Sequence, residues 1–117
     1  MFMQIQINSG DNVTLDAATA LHIEEQIRGI LARFEDSLTR IEIHLSDDSA
    51  ARSTDSDIRC AIEARPAGLD PLGVTHLAGD PLEAALGAGR KMARQLDSVL
   101  GRRSETKGGD SIRGGGA

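Results

Sequence analysis

The sequence has no tryptophan or tyrosine, two phenylalanines, one cysteine and three prolines among 117 residues. With so few aromatic rings, aliphatic side chains must form the core, and a chain of this length builds one domain. Cys60 alone cannot form an internal disulfide, which favours a reducing compartment. No apolar run approaches the ~18 residues of a membrane span. The N-terminus lacks the charged flank and apolar core of a signal peptide. We therefore expect a soluble, cytoplasmic protein without a membrane partner.

The sequence also lacks a recognisable catalytic or metal-binding pattern. His22, His44 and His76 fall on a predicted helix and two separate strands without ligand spacing. Surface or half-buried histidines are therefore favoured over a zinc site. No glycine-rich loop joins a strand to a helix in the manner of a phosphate cradle. We predict a protein that is not an enzyme and has no cofactor, metal or small-molecule substrate.

Two features leave a chemical alternative open. Cys60 falls on the inward face of a predicted strand, which favours an inert buried thiol, because a reactive thiolate needs exposure and positive neighbours. A serine-rich loop carries four aspartates that could hold a divalent cation: Asp47, Asp48, Asp55 and Asp57. Their spacing does not match a calcium loop, so a solvated loop is the preferred interpretation.

Alternation of apolar and polar residues predicts four strands. Residues 3–7 alternate strictly, residues 39–45 and 57–65 do so again, and a shorter strand is expected at 73–78. One face of each strand is apolar and belongs in a core. The other face is polar enough to meet water.

Two segments with i, i+3, i+4 spacing of apolar residues predict helices. The first follows Asp16 as N-cap, and its apolar stripe comprises Ala20, Ile23, Ile27, Ile30, Leu31 and Phe34. The second has Asp80 as cap and Pro81 at its first position, and it is expected to end near Leu100. Two glycines inside it each cost about 1 kcal/mol of helix propensity. Gly87 and Gly89 are therefore expected where the helix backbone closely approaches a neighbour.

The element order is β-α-β-β-β-α. The economical fold is α+β, a four-stranded sheet with two helices packed on one face, because this arrangement buries both helical stripes. We expect residues 1–103 to form this single domain. Residues 104–117 are rich in glycine and serine and are expected to be a disordered tail. The open edges of such a sheet leave room for a weak homodimer.

Positive charge is concentrated late in an acidic chain of net charge −5. Residues 1–89 hold six arginines against fifteen acidic residues, whereas residues 90–117 hold seven basic and three acidic residues. On a helix, Arg90, Lys91 and Arg94 lie within one turn of each other, and Arg102 and Arg103 continue the charge past the predicted helix end. This cluster is either a solvated helix face near the negative end of the helix dipole or a phosphate-contacting stripe for structured RNA.

Two segments carry a family resemblance. "MQIQINSGDNVTLDAATALHIEEQI" and "HLAGDPLEAALGAGRKMARQL" resemble the opening and the last strand and helix of the ribosome hibernation-promoting factor and ribosome-associated inhibitor family. The matching positions of the second segment are Asp80, Ala84, Ala85, Lys91, Arg94, Gln95 and Leu96. The resemblance covers roughly residues 3–103, and none of its motifs is a catalytic signature.

The resemblance implies a translation inhibitor that binds the small ribosomal subunit through its ribosomal RNA and promotes ribosome hibernation under stress or in stationary phase. Basic residues of both helices would contact the RNA: Arg28, Arg33, Arg90, Lys91, Arg94, Arg102 and Arg103. The first helix has Gln26 and Gly29 where the family commonly has lysines, and Leu82 replaces a usual aromatic residue. With 17 residues after Leu100, the chain is similar to the short members of the family.

The alternative is a protein-interaction or regulatory module of the same fold that has lost RNA binding. Such a module would meet a basic protein through its acidic first helix. The surface shared by the two helices separates these hypotheses. Basic residues of both helices side by side would favour RNA, whereas dominance of Glu24, Glu25 and Glu35 would favour the protein partner.

Overall fold

The computed structural model describes residues 3–10, 13–47 and 58–108, with side chains as far as Gly101. The elements in chain order are β1 (Gln4–Ser9), α1 (Ala17–Ile30), a 3₁₀ helix (Ala32–Ser37), β2 (Leu38–Asp47), β3 (Ile58–Pro66), β4 (Leu72–Ala78) and α2 (Pro81–Gly108). This is the predicted β-α-β-β-β-α order with one short 3₁₀ helix added. None of the helices in these ranges is long and apolar enough to cross a membrane.

The four strands form one mixed sheet in the order β1-β2-β3-β4. β1 and β2 are parallel, and the other two pairs are antiparallel. Parallel neighbours need a crossover connection, which α1 and the 3₁₀ helix provide. Both helices pack on the same face of the sheet and against each other, so the predicted α+β class and arrangement are confirmed.

The core lies between the sheet and the two helices, and it is aliphatic as expected. Period-2 alternation sends every second strand residue into it, and the helices add their apolar stripes. Its largest fully buried side chains are Met3, Ile23, Ile27, Leu31, Leu38, Ile41, Ile43, Leu45, Ile62, Met92, Leu96 and Cys60. The outer face of the sheet carries the predicted polar residues.

α1 begins where the sequence predicts and ends earlier. The Asp16 Oδ1 atom accepts a hydrogen bond from the Thr19 N–H at 2.8 Å, which makes Asp16 the N-cap. The predicted stripe runs to Phe34, but this residue lies in the 3₁₀ helix. Leu31 adopts φ −101° and ψ 10°, so the α-helix stops there and the chain tightens before β2. Phe34 is still buried, because the tighter turn keeps it on the core side.

α2 begins where predicted and extends further. The Asp80 Oδ1 atom accepts from the Glu83 N–H at 2.8 Å, and Pro81 occupies the first helical position. The helix continues to Gly108, so the expected end near Leu100 is wrong. Residues 101–107 contain no proline and no run of glycines, so this stretch of sequence has no signal that would stop the helix. Residues 109–117 lie outside the described residues, and the disordered tail stays a prediction there.

The two glycines of α2 mark close contacts, as expected. A Cβ atom at Gly89 would lie 2.8 Å from Ile27 Cδ1 and 3.2 Å from Ile30 Cδ1. A Cβ atom at Gly87 would overlap the imidazole ring of His76 on β4. Gly89 therefore sets the approach of α2 to α1, and Gly87 sets its approach to the sheet.

Candidate nucleic-acid interface

α1 and α2 run side by side in the same direction. The first turn of α2 shares a shallow pocket with Thr19 near the start of α1. Further along, Ile27 lies against Gly89, and beyond the end of α1, Arg33 meets Asp97. Later residues of one helix thus meet later residues of the other. The segments that contain the predicted arginines therefore lie towards the same end of the helix layer.

Arg90 and Arg94 form the exposed basic part of this layer. Both lie on the side of α2 that faces away from the sheet, while Met92 and Leu96 on the opposite side are fully buried. They are four residues apart, which places their side chains one above the other on the helix surface. Neither guanidinium has a hydrogen-bonding or ionic partner among the described residues. They are the free cations that the sequence predicts at this site.

Lys91 lies on the flank of α2 beside β4. Its Nζ atom donates a hydrogen bond to the Thr75 carbonyl oxygen at 2.8 Å. The residue is half-buried, so the expectation that it is fully exposed is wrong. Lysine side chains commonly lay their aliphatic stem along apolar surface and keep the ammonium group in water. An ammonium group has three N–H donors, so Lys91 retains donors for a second partner.

Arg33 lies beside α2, as the RNA hypothesis requires, but its charge is matched. Its guanidinium makes two parallel hydrogen bonds to the Asp97 carboxylate, at 2.5 and 2.9 Å, and lies 4.3 Å from the centroid of the Phe34 ring. The hydrogen bonding between these two side chains lowers the pKa of Asp97 and raises the pKa of Arg33. Both side chains remain more than half exposed. Arg33 therefore neutralises the acidic residue next to the free arginines.

Arg28 does not join the arginines of α2. Its guanidinium donates to the Met3 carbonyl oxygen at 3.0 Å and to the Glu24 carboxylate at 3.3 Å. Ile30, which faces Gly89, is two residues further on and so about 200° around the helix. Arg28 thus lies on the flank of α1 that is distant from α2 and ties this helix to the start of β1.

The remaining charged residues of the two hypotheses lie on or near α1 and at the end of α2. On α1, Glu25 is exposed and Glu24 is paired with Arg28, so the surface of this helix has no excess of positive charge. Glu35 is half-buried in the following 3₁₀ helix. Arg102 and Arg103 belong to α2, but their side chains lie outside the described residues, and their RNA contact stays a prediction. Of the predicted arginines whose side chains the structure describes, those without a partner therefore belong to α2.

The other chemical candidates are accounted for where the structure describes them. Cys60 is fully buried, as predicted, and burial raises the pKa of its thiol to about 12, which favours an inert core thiol. His76 packs under Gly87, and His44 lies on the outer face of the sheet, 3.4 Å from a Glu42 carboxylate oxygen. Within the described ranges, no three histidine, cysteine or acidic side chains are grouped as a metal site would need. Residues 48–57, with most of the aspartate loop, lie outside those ranges.

Sequence reasoning missed the partners of three predicted cations: Arg28, Arg33 and Lys91. The Arg28–Glu24 pair had one signal, since the two residues are four apart on the same helix. The Arg33–Asp97 pair had one signal, since Asp97 is the single acidic residue among residues 89–103. The bond from Lys91 to Thr75 had none, because its acceptor is a backbone carbonyl group.

Solved structures similar to this one include two proteins of bacterial origin. The N-terminal domain of Protein Y from Thermus thermophilus superposes with a TM-score of 0.62 at 18% identity, over 85% of this chain and 99% of that chain. A ribosomal subunit interface protein from Coxiella burnetii superposes with a TM-score of 0.62 at 15% identity, over 84% and 98%. The chain has the fold of these two proteins. At such identities the likeness concerns the fold alone, and it confirms the fold that the sequence resemblance implied. No protein-family model matches the sequence, and no curated protein is significantly similar to it.

Proposed function

We propose that this protein is a ribosome-associated inhibitor of translation, without enzymatic activity, that binds ribosomal RNA of the small subunit and promotes ribosome hibernation. One observation supports this most: in a chain of net charge −5, Arg90 and Arg94 are exposed on the outer side of α2 without a partner among the described residues. The motif resemblance around Lys91 and Arg94 adds to it, as does a fold shared with a ribosomal subunit interface protein.

The chemistry of these residues suits the RNA backbone. A guanidinium group can bind a phosphate through two parallel hydrogen bonds, and each neutralised phosphate releases counterions. The carboxylate of Asp97 lies on the same helix and would repel a phosphate. The two hydrogen bonds from Arg33 offset this repulsion. In this proposal Arg33 prepares the surface for RNA, while Arg90 and Arg94 make the contacts.

The second candidate function is binding of a basic protein through α1. It is favoured by the state of Arg28, whose charge is held by Glu24, and by the exposure of Glu25. With these charges α1 presents an acidic surface, which fits a basic partner better than RNA.

Charge reversal of Arg90 and Arg94 tests the proposal. The double variant R90E/R94E should fold, because neither side chain has a partner among the described residues. It should no longer sediment with small subunits in a sucrose gradient. The matched control is R59E/R65E, which changes the net charge equally on the outer face of the sheet, where both arginines are exposed. We expect the control to sediment with the subunits much as the unmodified protein does.

The two candidate functions predict opposite results for Glu25→Lys. If α1 also faces RNA, Glu25→Lys strengthens binding to the small subunit. If α1 binds a basic protein, Glu25→Lys weakens binding to that protein and leaves binding to the small subunit unchanged. A folded R90E/R94E variant that sediments with small subunits at the same salt concentration as its control would contradict the RNA proposal.

A further inference from the structure

β4 is an edge strand with an open side. It pairs with β3 on one side, and the sheet order places no described strand on the other. The Thr75 carbonyl oxygen accepts a hydrogen bond from Lys91, which indicates that this carbonyl group points away from β3. In an antiparallel strand the backbone groups of alternate residues point the same way, so Gly73 and Leu77 also direct their N–H and C=O groups to the open side. Three alternate residues therefore direct backbone groups to the open side, where the Thr75 carbonyl oxygen is bonded to Lys91.

A positively charged groove lies beside this edge on the helix side. Its lining comprises Val74, Lys91, Arg94, Gln95 and Ser98. An acidic side chain placed there would meet the Lys91 ammonium and the Arg94 guanidinium. It would also release the Thr75 carbonyl group, because Lys91 could then donate to a carboxylate instead.

The other side of the same edge has one exposed apolar side chain and room beside it. Leu77 is 40% exposed on the outer face of the sheet. Gly73, four residues earlier on that face, has no side chain, and a Cβ atom there would meet nothing within 4 Å. A depression lined by His44, Ala61 and Glu63 adjoins it. Glycine in a strand commonly marks a place where another chain approaches closely.

We propose that the β4 edge binds an extended acidic peptide segment of another protein as an added fifth strand. The peptide backbone would pair with Gly73, Thr75 and Leu77. Alternate side chains would point to opposite faces, so acidic residues would enter the groove beside α2 and apolar residues would cover Leu77 and the depression at Gly73. This inference does not require ribosome binding, although it shares Lys91 and Arg94 with the proposed RNA contacts.

Charge complementarity selects this partner over a second copy of the chain. Pairing of two β4 edges would bring two Lys91 and two Arg94 side chains to one seam, and like charges facing each other oppose association. RNA is a different class of ligand, because it has no backbone N–H ladder to pair with a strand.

A seven-residue N-acetylated peptide of alternating valine and glutamate is a suitable probe, with an alternating valine and lysine peptide as its charge control. The measurement is amide hydrogen exchange of the labelled protein by NMR. We expect the glutamate peptide to slow exchange about tenfold or more at the amides of Gly73, Thr75 and Leu77. The lysine peptide should leave these amides unchanged. Protection that requires no peptide and rises with protein concentration would instead show pairing of two copies and overturn the proposal.

Two variants make the test specific. Gly73→Pro removes an outward N–H group and should abolish peptide binding, whereas Gly73→Ala keeps the N–H group and should retain it. Arg94→Glu should weaken binding of the glutamate peptide about fivefold and favour the lysine peptide. If the proline variant does not fold, this change in which peptide is preferred still tests the proposal. Undiminished binding of the glutamate peptide by folded Gly73→Pro would overturn the proposal, and so would an unchanged preference in Arg94→Glu.

Discussion

The contact between the two helices at Gly89 can be tested by adding one carbon atom. Gly89→Ala introduces a Cβ atom 2.8 Å from Ile27 Cδ1 and 3.2 Å from Ile30 Cδ1. Favourable carbon–carbon contacts lie at 3.5–4.0 Å, so the new atom comes too close by about 0.7 and 0.3 Å. Ile27 is fully buried and cannot move aside freely. The helices must separate slightly or Ile27 must leave its rotamer.

Two opposing effects determine the size of the change. Replacing glycine by alanine inside a helix lowers the free energy of the folded state by about 1 kcal/mol. Overfilling a packed core raises it by about 1–3 kcal/mol. We therefore expect Gly89→Ala to lower the free energy of unfolding by about 0–2 kcal/mol.

Gly101→Ala is the matched control on the same helix. A Cβ atom at Gly101 would meet nothing within 4 Å, so this variant should receive the helix-propensity gain without a steric cost. Urea denaturation of both variants gives the two midpoints, and an unchanged slope shows that only stability has moved. The difference between the variants, about 1–3 kcal/mol, isolates the packing effect at the helix contact.

The reasoning is refuted if Gly89→Ala is stabilised as much as Gly101→Ala. That result would mean that the helices are further apart than the structure shows. The meeting of Arg33 and Asp97 at the same end of the two helices would then need an explanation other than close packing at Gly89.

Three further predictions concern single contacts. Gly87→Ala should lower the free energy of unfolding by about 1–2 kcal/mol, because the new methyl group overlaps the His76 ring. The NMR signals of His76 should shift for the same reason, and unchanged signals would contradict that contact. Cys60 should react slowly with a thiol reagent in the folded protein and rapidly after denaturation, since its pKa is raised to about 12; fast reaction in the folded protein would mean that β3 presents its other face. The hydrogen bonds from Arg33 lower the pKa of Asp97 in the folded protein below its ordinary value of 3.8. The ion pair should therefore stabilise the fold fully above pH 3.8, and this stabilisation should be lost as the pH falls through the lower pKa of the folded state. The urea midpoints of the unmodified protein and Asp97→Asn should therefore converge in acid, and a gap independent of pH would count against the ion pair.

The fold was predictable because each element has its own local signal. Strict alternation predicted the strands, and helical spacing with an aspartate cap predicted the starts of α1 and α2. The ends of the helices were less predictable. The turn at Leu31 depends on how the chain must enter β2, and the continuation of α2 past Leu100 has no marker other than the absence of proline and of a glycine run. Neither is a local preference that a short window of sequence reveals.

The candidate site was predictable only in part, because its charges are set by distant residues. The clustering of Arg90 with its neighbours follows from helical spacing alone. The neutralisation of Arg33 does not, since Asp97 lies 64 residues further along the chain. The anchoring of Lys91 depends on β4 being the edge strand, which follows from the order of strands in the sheet and from no property of the residue itself.

The central claim is that free cations on α2 bind RNA phosphates, and the salt dependence of binding to purified small subunits tests it most directly. Each neutralised phosphate contributes about −0.9 to the slope of log K against log salt concentration on a duplex, and about −0.7 on a single strand. With contacts from Arg90 and Arg94, and a further one from Lys91, we expect a slope of about −2.1 to −2.7, which falls in magnitude by about 1.4 to 1.8 in the R90E/R94E variant. Binding whose affinity is independent of salt, or a slope that the double reversal leaves unchanged, would contradict the account.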